Sequence, residues 1–375
     1  MAKWHAVAKG YRVVGCTILG GWSVLSPVEG ILTILQRGNV TGTNKFGLLL
    51  ALIDLAPQID PETRDLEFTD LALKLLEIHW DHVREYAGNG SPLRQVSSGN
   101  KANSQVIVQV QRLRALSDGT DLSFEMARKV LPAAEWNISI NRVARDTARN
   151  PVAKLQTIRG TDEAPFLFNP ANAGSSLVLF DGVRESLTTF GPLLRALIEA
   201  RFVEQVMRMN SPIFEQVSLH EFLFSDSRHM PSAGFREKLR DIQDGRCFYT
   251  GSKLGYKQVG KGDQLDHVLP WSRVRLSTAE NFVLASSTAN NAKRDMLLSE
   301  GFLRRWLDHL ALHQAELEAA AQEHLWVSDR ARTLRVAESL YLLTPTGAVL
   351  WQPAFKAPLD ESSRAQCVDA IRGYV

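Results

Sequence analysis

Residues 245–295 read GRCFYTGSKLGYKQVGKGDQLDHVLPWSRVRLSTAENFVLASSTANNAKRD, and the expected fold follows from this segment. Asp266 and His267 are adjacent near its centre and are followed by the helix breaker Pro270. An apolar run, residues 282–284, then leads through small residues into a segment typical of a short helix. The pattern predicts strand, loop, strand and helix. A hairpin packed against a helix in this way brings an aspartate, a histidine and an asparagine to one point.

These residue types fit the hydrolysis of a phosphodiester bond. That reaction needs an activated water and a cation close to the developing negative charge. Oxygen ligands from a carboxylate and an amide, such as Asp266 and Asn290, bind a hard divalent ion. A neutral histidine such as His267 accepts a proton near neutral pH.

The spacing of these residues resembles the HNH, or ββα-metal, nuclease motif. In that family an Asp-His pair with a following proline precedes a central asparagine, a second asparagine and a lysine. Here Asn281 follows Asp266 by fifteen residues, Asn290 follows Asn281 by nine, and Lys293 follows after three more. The motif covers about fifty residues of the chain, and its residue types and spacings together are specific.

The approach to the motif resembles one variant of the family. Cys247, Tyr249 and Gly251 match a Cys-x-Tyr-x-Gly approach seen in RNA-guided CRISPR effectors and in stand-alone bacterial nucleases. Many other HNH domains carry two cysteine pairs that bind structural zinc, but Ser286 and Ala289 stand where the second pair would be. The resemblance therefore implies no structural zinc, and we expect packing against the rest of the chain to hold the domain.

The resemblance implies a role for each motif residue. His267 is the general base, and Asp266 and Asn290 hold one Mg²⁺ or Mn²⁺ ion, with Asn291 as the alternative to Asn290. Asn281 braces the loop and holds His267 in place. The cations expected to face phosphate are Lys293 and Arg294.

Length and composition indicate an ordinary globular chain of two or three domains, since it has 375 residues, 45% hydrophobic and 22% charged. We expect an α+β fold that is mainly α. Residues 1–26 are expected to be a poorly ordered extension, and residues 27–235 a helical domain that positions DNA or contacts a partner. Residues 236–300 form the small ββα-metal HNH domain. Residues 301–375 form a helical flank with a hairpin that packs on it.

Hydrophobic periodicity predicts several elements outside the motif. Residues 47–55 and 69–86 carry apolar residues at helical spacing, and residues 184–209 have the pattern of a long helix. Two short apolar runs around a small-residue turn predict a hairpin at residues 166–180, and residues 339–351 predict another.

The net charge of +2 gives no global basic field, so nucleic-acid contacts must be sought locally. Residues 101–160 hold ten basic and five acidic residues. Arg142, Arg145 and Arg149 are three and four residues apart, which places them on one face of a helix. This arginine ridge is a candidate DNA contact, and a solvated helix face explains it equally well.

The cysteines and the N-terminus bear on localisation. Cys16, Cys247 and Cys367 are far apart in sequence and make no C-x-x-C pair, which fits a reducing cytoplasm. Residues 13–25 loosely resemble a signal peptide, but glycines interrupt the run and it is too short to span a membrane. We expect a cytoplasmic protein without membrane contact.

The sequence thus predicts an HNH endonuclease that cleaves DNA. Residues 41–56, TGTNKFGLLLALIDLA, resemble a helical segment found ahead of HNH domains in stand-alone bacterial nucleases. Such proteins serve restriction or anti-phage defence, for example as Zorya-type components, which implies partner proteins from a defence operon. The alternatives are a non-catalytic DNA-binding or assembly subunit with an HNH scaffold, and an RNA-cleaving toxin. The intact set of Asp266, His267 and Asn290 argues against a scaffold.

Overall fold

The fold is α+β and mainly α, as predicted: 59% of the described residues are helical and the sheets described have two strands each. Residues 1–24, most of the predicted N-terminal extension, lie outside the described residues. The computed structural model describes residues 25–38, 42–86, 91–96, 104–117, 120–158, 164–172, 174–211, 216–225, 230–255 and 263–374.

The first part of the chain is built from helices around one apolar core, called the helical core here. A capping box between Ser26 and Glu29 begins the first helix. The predicted helix at 47–55 is confirmed and is central, since residues 48–52 are fully buried. The helices are α1 (Pro27–Arg37), α2 (Asn44–Leu55), α3 (Phe68–Ile78), α4 (Gln105–Ala115), α5 (Phe124–Val130), α6 (Ala133–Arg149), α7 (Pro151–Leu155), α8 (Val183–Asn210) and α9 (Gln216–Phe224), with 3₁₀ turns at Ala56–Gln58 and Pro170–Asn172.

Two of the expectations for this region need adjustment. The predicted helix at residues 69–86 ends at Ile78, and the next residues form turns. The hairpin predicted at residues 166–180 is reduced to a single antiparallel bridge between Phe168 and Leu179. The strand partner is instead distant in sequence, since β1 (Asp65–Glu67) pairs antiparallel with β2 (Ser176–Val178).

The second part of the chain contains the predicted strand, loop, strand and helix, followed by a helical flank. Its first two strands, Asp263–His267 and Phe282–Ser286, pair antiparallel, with Asp266 opposite Val283 and His267 opposite Phe282. The elements are α10 (Ala233–Ile242), β3 (Asp263–His267), the 3₁₀ turn Ala279–Asn281, β4 (Phe282–Ser286), α11 (Ser287–Lys293), α12 (Glu300–Leu312), α13 (Gln314–Glu323), α14 (Arg330–Leu343), β5 (Val349–Gln352), β6 (Phe355–Pro358) and α15 (Glu361–Arg372).

The hairpin predicted at residues 339–351 is wrong in position. Residues 339–341 belong to α14 and are buried, and the helix ends just before Pro345. The actual hairpin joins β5 and β6 over residues 349–358. An apolar run of this length suits a buried helix end as well as a strand, and packing decides between them.

The C-terminal flank shares one apolar core with the hairpin and anchors the loop between β3 and β4. The indole nitrogens of Trp306 and Trp326 donate to the carbonyls of Glu280 and Ser277, at 3.0 and 2.7 Å. The amide of Ala279 donates to the carbonyl of Val327 at 2.8 Å. These hydrogen bonds therefore hold the loop of residues 268–281 against the C-terminal flank.

The two cores also touch each other through α14. The Ser339 hydroxyl donates to the Pro57 carbonyl at 2.7 Å, and the Arg184 guanidinium donates to the same hydroxyl at 2.6 Å. Within the described part of the chain, no helix has the length and apolar character needed to cross a membrane.

Candidate active site

The hairpin sorts its polar residues onto two faces. Side chains alternate along a strand, so Gln264 and Asp266 share one face of β3 and His267 lies on the other. Helix α11 packs on the first face, since Asn290 donates to Gln264 at 2.8 Å and the Lys293 ammonium is 3.2 Å from Asp266. Asp266 and Asn290 therefore lie on the face of the hairpin that α11 covers, and the adjacent His267 lies on the opposite face.

Asp266 is a buried carboxylate, about 7% exposed. The Tyr249 hydroxyl donates to its Oδ2 at 2.5 Å, and Lys293 lies on the same side. Burial raises the pKa of Asp266, against the opposing effect of Lys293 and the hydrogen bond from Tyr249. Burial also raises the pKa of Tyr249 well above its usual value, and the neighbouring Asp266 adds to this. The carboxylate is therefore surrounded by donors and still less stable in its charged form than in water.

Lys293 does not lie where a phosphate contact would require it. Its side chain is fully buried, and its ammonium donates to the His267 carbonyl at 2.7 Å as well as contacting Asp266. Burial lowers the pKa of Lys293, with Asp266 opposing. Lys293 links the helix to the Asp-His pair because the last turn of α11 faces the hairpin. Arg294, one residue later, is exposed and has a left-handed backbone with φ of 52°.

The two adjacent asparagines of α11 are placed differently. Asn290 is half-buried and uses its amide nitrogen to hold Gln264, so its oxygen is directed away from that contact. Asn291 is exposed. Of the two, the structure brings Asn290 to the hairpin face that carries Asp266.

Asn281 is fully buried and holds the loop between β3 and β4 through hydrogen bonds. Its side-chain oxygen accepts from the Leu269 amide at 2.7 Å, and its nitrogen donates to the Leu269 carbonyl at 3.1 Å and the Leu276 carbonyl at 2.9 Å. Its own carbonyl accepts from the amide of Val268 at 2.8 Å. The residue directly after His267 is thereby fixed.

His267 is half-buried at the end of β3. Its Nε2 is 3.3 Å from the Ser277 hydroxyl. Its ring centre is 4.4 Å from that of Phe282 and 5.3 Å from that of Trp271. The contact with Ser277 and the two neighbouring rings therefore restrict the orientation of the imidazole.

The positions that carry zinc ligands in other HNH domains are held by hydrogen bonds here. Cys247 is buried, and its sulfur accepts from the Ser286 amide at 3.2 Å. The Ser286 hydroxyl in turn accepts from the Ala289 amide at 3.3 Å. Burial on its own would raise the pKa of the Cys247 thiol, but hydrogen bonds with Thr250 and Ser286 lower it.

The donor set suits a hard divalent ion. Among the described residues no group of three histidine, cysteine, aspartate or glutamate side chains lies close enough to hold a metal. A metal at Asp266 would take carboxylate and amide oxygens from Asp266 and Asn290, with waters or phosphate oxygens for the rest. Mg²⁺ keeps most of its waters and accepts such a sparse protein shell. A cation there would also relieve the cost of the buried carboxylate.

Three contacts of this site were missed by the sequence reasoning. Gln264 lies two residues before Asp266, and the period of a strand would have placed it on the same face. Tyr249 was noted as part of the motif, but without its bond to the carboxylate. Ser277 had no signal, because a loop residue that reaches a histidine through the tertiary fold leaves no pattern in sequence.

The arginine ridge lies elsewhere. Arg142, Arg145 and Arg149 are exposed on α6, where they line a groove of about 550 Å³ that α4 closes on its other side. The main packing partners of α6 are α3, α4 and α7. The three arginines therefore do lie on one helix face, and the helix that carries them packs on helices of the helical core.

Comparison with known proteins agrees with this geometry. Residues 247–297 match the family model described as HNH endonuclease. The match supports placing this segment in the HNH family, and with it the nuclease class and a nucleic-acid substrate. No match to the chain is found among curated proteins or among solved structures.

Proposed function

We propose that this protein is a metal-dependent endonuclease that cleaves DNA, with His267 as general base and Asp266 and Asn290 as the metal ligands. The observation that supports the proposal is that Asp266 and His267 end one strand of the hairpin while Asn290 of α11 is bonded to the strand face that holds Asp266. The match to the HNH endonuclease model covers the same segment.

The chain's own residues would prepare the site before substrate binds. Asn281 fixes the loop after the Asp-His pair, and Ser277 engages Nε2 of His267. The imidazole of His267, held in this orientation, would take the proton of the attacking water. A bound divalent ion supplies the positive charge that stabilises the phosphate during cleavage.

Tyr249 and Lys293 complete the proposed site as positioning residues. Both donate to Asp266 from the buried side, which holds the carboxylate in one orientation. Neither is exposed, so we assign neither a phosphate contact. Arg294 is the exposed cation next to the site, and we propose that it contacts the DNA backbone.

The biological setting rests on the sequence resemblance alone. We propose magnesium or manganese as the ion, the cytoplasm as the location, and restriction or anti-phage defence with partner proteins as the role. The sequence resemblance to stand-alone bacterial nucleases supports these choices.

Plasmid cleavage tests the proposal directly. Purified protein is incubated with supercoiled plasmid DNA, and in parallel with structured RNA, in Mg²⁺, Mn²⁺ or EDTA. We expect DNA cleavage that requires the metal. His267→Ala should lower the rate on the order of 10²–10⁴-fold with an unchanged circular dichroism spectrum, because a general base contributes that much. Asp266→Asn should act likewise, because it removes the carboxylate that holds the metal.

His313→Ala is the matched control, because His313 lies between α12 and α13 and contacts Glu316 outside the site. It should cleave at the wild-type rate. Full activity of His267→Ala would remove this residue from the mechanism. Cleavage of RNA in preference to DNA would make the protein a ribonuclease, and no cleavage of either would favour a non-catalytic scaffold.

A further inference from the structure

A cleft of about 320 Å³ opens beside the candidate catalytic histidine, between the two cores. Ser277, which bonds to His267, and Trp271, whose ring lies next to it, both line this cleft. The cleft is therefore separated from His267 by one side chain. Its volume is that of a small ligand site and suits a nucleotide unit.

Cations from both cores line the cleft. Arg128 and Lys129 come from the end of α5 in the helical core. Arg275 and Arg332 come from the second core, called the HNH core here, which the β3–β4 hairpin and the C-terminal flank share. The carboxylates in the lining are engaged or buried: Glu77 pairs with Lys74 and Asp329 caps α14, while Glu125 is about 7% exposed. The lining thus carries four cations and three carboxylates, a net excess of one positive charge.

Two of the arginines are held in place by aromatic rings. The Arg128 guanidinium lies 4.8 Å from the centre of the Trp136 ring, and that of Arg275 lies 4.7 Å from the Trp271 ring. Stacking fixes a guanidinium while its N–H groups remain directed outward in the guanidinium plane. The Arg275 guanidinium is also 4.0 Å from the Glu199 carboxylate. Burial lowers the pKa of Arg128, which shows that its surroundings do not fully compensate its charge.

Arg332 supplies an independent sign of a missing partner. Its Nε is buried and has no hydrogen-bond acceptor among the described residues. A buried donor without an acceptor costs free energy, so an acceptor from a ligand is favoured. Arginine is the residue that best matches phosphate oxygens, because its N–H groups form a planar fork.

We propose that this arginine cleft, defined by Arg128, Lys129, Arg275 and Arg332, binds a backbone phosphate of the DNA strand next to the bond being cut. The inference rests on the proposed function and adds a subsite to it. Walls from both cores hold the strand, so the helical domain contributes to substrate position close to His267. The cleft supplies this contact in addition to any contact by the distant arginine ridge.

Binding measured without cleavage tests the inference separately from the proposed function. The inactive His267→Ala protein in EDTA is titrated with a fluorescent duplex at several salt concentrations. Arg128→Gln and Arg332→Gln should each weaken binding on the order of ten-fold, as expected for one charge-assisted hydrogen bond. Each should lower the slope of log K against log salt by about 0.9. Arg128→Lys keeps the charge and should keep most of the affinity, which separates loss of charge from loss of fold.

Arg208→Gln and Lys356→Gln are matched controls, because both residues are exposed and lie outside the cleft. They should leave affinity and slope unchanged. In an otherwise wild-type protein, the cleft variants should raise KM while kcat at saturating DNA stays within about two-fold.

Three results would overturn the cleft assignment. These are unchanged affinity in both arginine variants, equal losses in the controls, or tight binding of inorganic phosphate or a mononucleotide with no effect of the variants on duplex binding. A protein that cleaves DNA and shows any of these keeps the proposed function and loses only the cleft. Failure of metal-dependent cleavage by the wild type, with the binding results intact, would remove the nuclease and keep the cleft.

Discussion

The helical core and the HNH core both bury opposite charges, but they compensate them to different degrees. In the helical core, Arg195 on α8 pairs with Asp54 and, at 3.1 Å, with Glu199. Burial alone would lower the pKa of Arg195, yet the two carboxylates raise it. In the HNH core, burial lowers the pKa of Lys293 and raises that of Asp266 despite their contact.

The difference distinguishes an ion pair whose charges are compensated within the fold from one at the candidate site. Arg195 has two carboxylate partners, so its charge is stabilised where it lies. Asp266 has one ammonium and one phenol, and both of its neighbours leave its charge under-compensated. A second cation would stabilise the Asp266 carboxylate further, whereas the Arg195 cation already has two carboxylates beside it. Perturbed pKa directions in a buried pair are typical of functional sites.

The largest effect should come from removing the cation of each pair. Arg195→Met removes the cation shared by two buried carboxylates, Asp54 and Glu199, and should cost about 3–5 kcal/mol of unfolding free energy. Lys293→Met should cost less at neutral pH, because Asp266 already has a raised pKa and can take up a proton. Urea denaturation measures both, and hydrogen exchange in α2 and in β4 assigns each loss to its core.

An equal loss in the two variants would break the comparison, since it would make the Asp266–Lys293 pair as structural as the Arg195 cluster. Arg208→Met is the control, because this exposed arginine pairs with Glu204 at the surface. It should change stability by no more than about 1 kcal/mol.

Acid should destabilise the helical core through His79. This residue is fully buried, and its Nδ1 is 2.9 Å from the Leu75 carbonyl, while its Nε2 has no partner in the described structure. Burial lowers the pKa of His79 to about 4 from 6.5. The unfolded chain therefore binds a proton first as the pH falls. The contribution of neutral His79 to the free energy of unfolding is fully present above pH 6.5. It is lost as the pH falls from 6.5 to 4, by up to about 3 kcal/mol.

His79→Leu removes the titrating group and should flatten the dependence of unfolding free energy on pH across that window. Circular dichroism during urea denaturation at about pH 4.5, 5.5 and 7 gives the slopes. An unchanged slope in the variant would assign the acid sensitivity to other groups, His309 first, whose pKa burial also lowers to about 4.

Magnesium should stabilise the HNH core and leave the helical core unchanged. A ligand present at about ten times its dissociation constant stabilises the native state by about 1.4 kcal/mol. Protection from hydrogen exchange should rise in β3 and α11 on addition of Mg²⁺, and Asp266→Asn should abolish the rise. Equal protection of α2 would indicate a nonspecific salt effect, and protection that persists in Asp266→Asn would place the ion elsewhere.

The smallest effect should come from the arginine ridge. Replacing Arg142, Arg145 and Arg149 by alanine should weaken duplex binding roughly equally for all sequences. The salt slope should fall by about 0.9 for each phosphate that the ridge no longer neutralises. Cleavage at saturating DNA should survive, since the site is untouched. Identical slopes for wild type and triple variant would identify the ridge as a solvated helix face.

Most of the helices and the ββα order could be predicted from the sequence, because these depend on periodicity and local spacing. The prediction failed at the hairpins of residues 166–180 and 339–351. Each contains apolar runs that fit a strand or a buried segment, and the choice depends on partners far away in the chain. The true partner of residues 176–178 is β1, more than a hundred residues earlier.

The features of the candidate site also fall into those that the sequence predicts and those that only packing shows. Asp266, His267, Asn281 and Asn290 could be named from spacing, because the motif is local and its residue types are those the chemistry requires. The same reasoning assigned Lys293 to phosphate, since a lysine at a helix end is usually exposed. Only the packing of α11 on the hairpin shows that this ammonium is buried on Asp266.

The amino-acid sequence alone was enough to predict the mainly helical class, the order of the elements in the motif and the four polar residues proposed for the site. Tertiary packing was needed to establish which side of α11 faces the hairpin, which asparagine meets β3, and that Ser277 and Tyr249 support the Asp-His pair. Packing also brings Arg128 on α5 and Arg332 on α14 to the same cleft. Local patterns fix secondary structure and spacing, whereas contacts between distant segments depend on how two cores pack together, which no local pattern records.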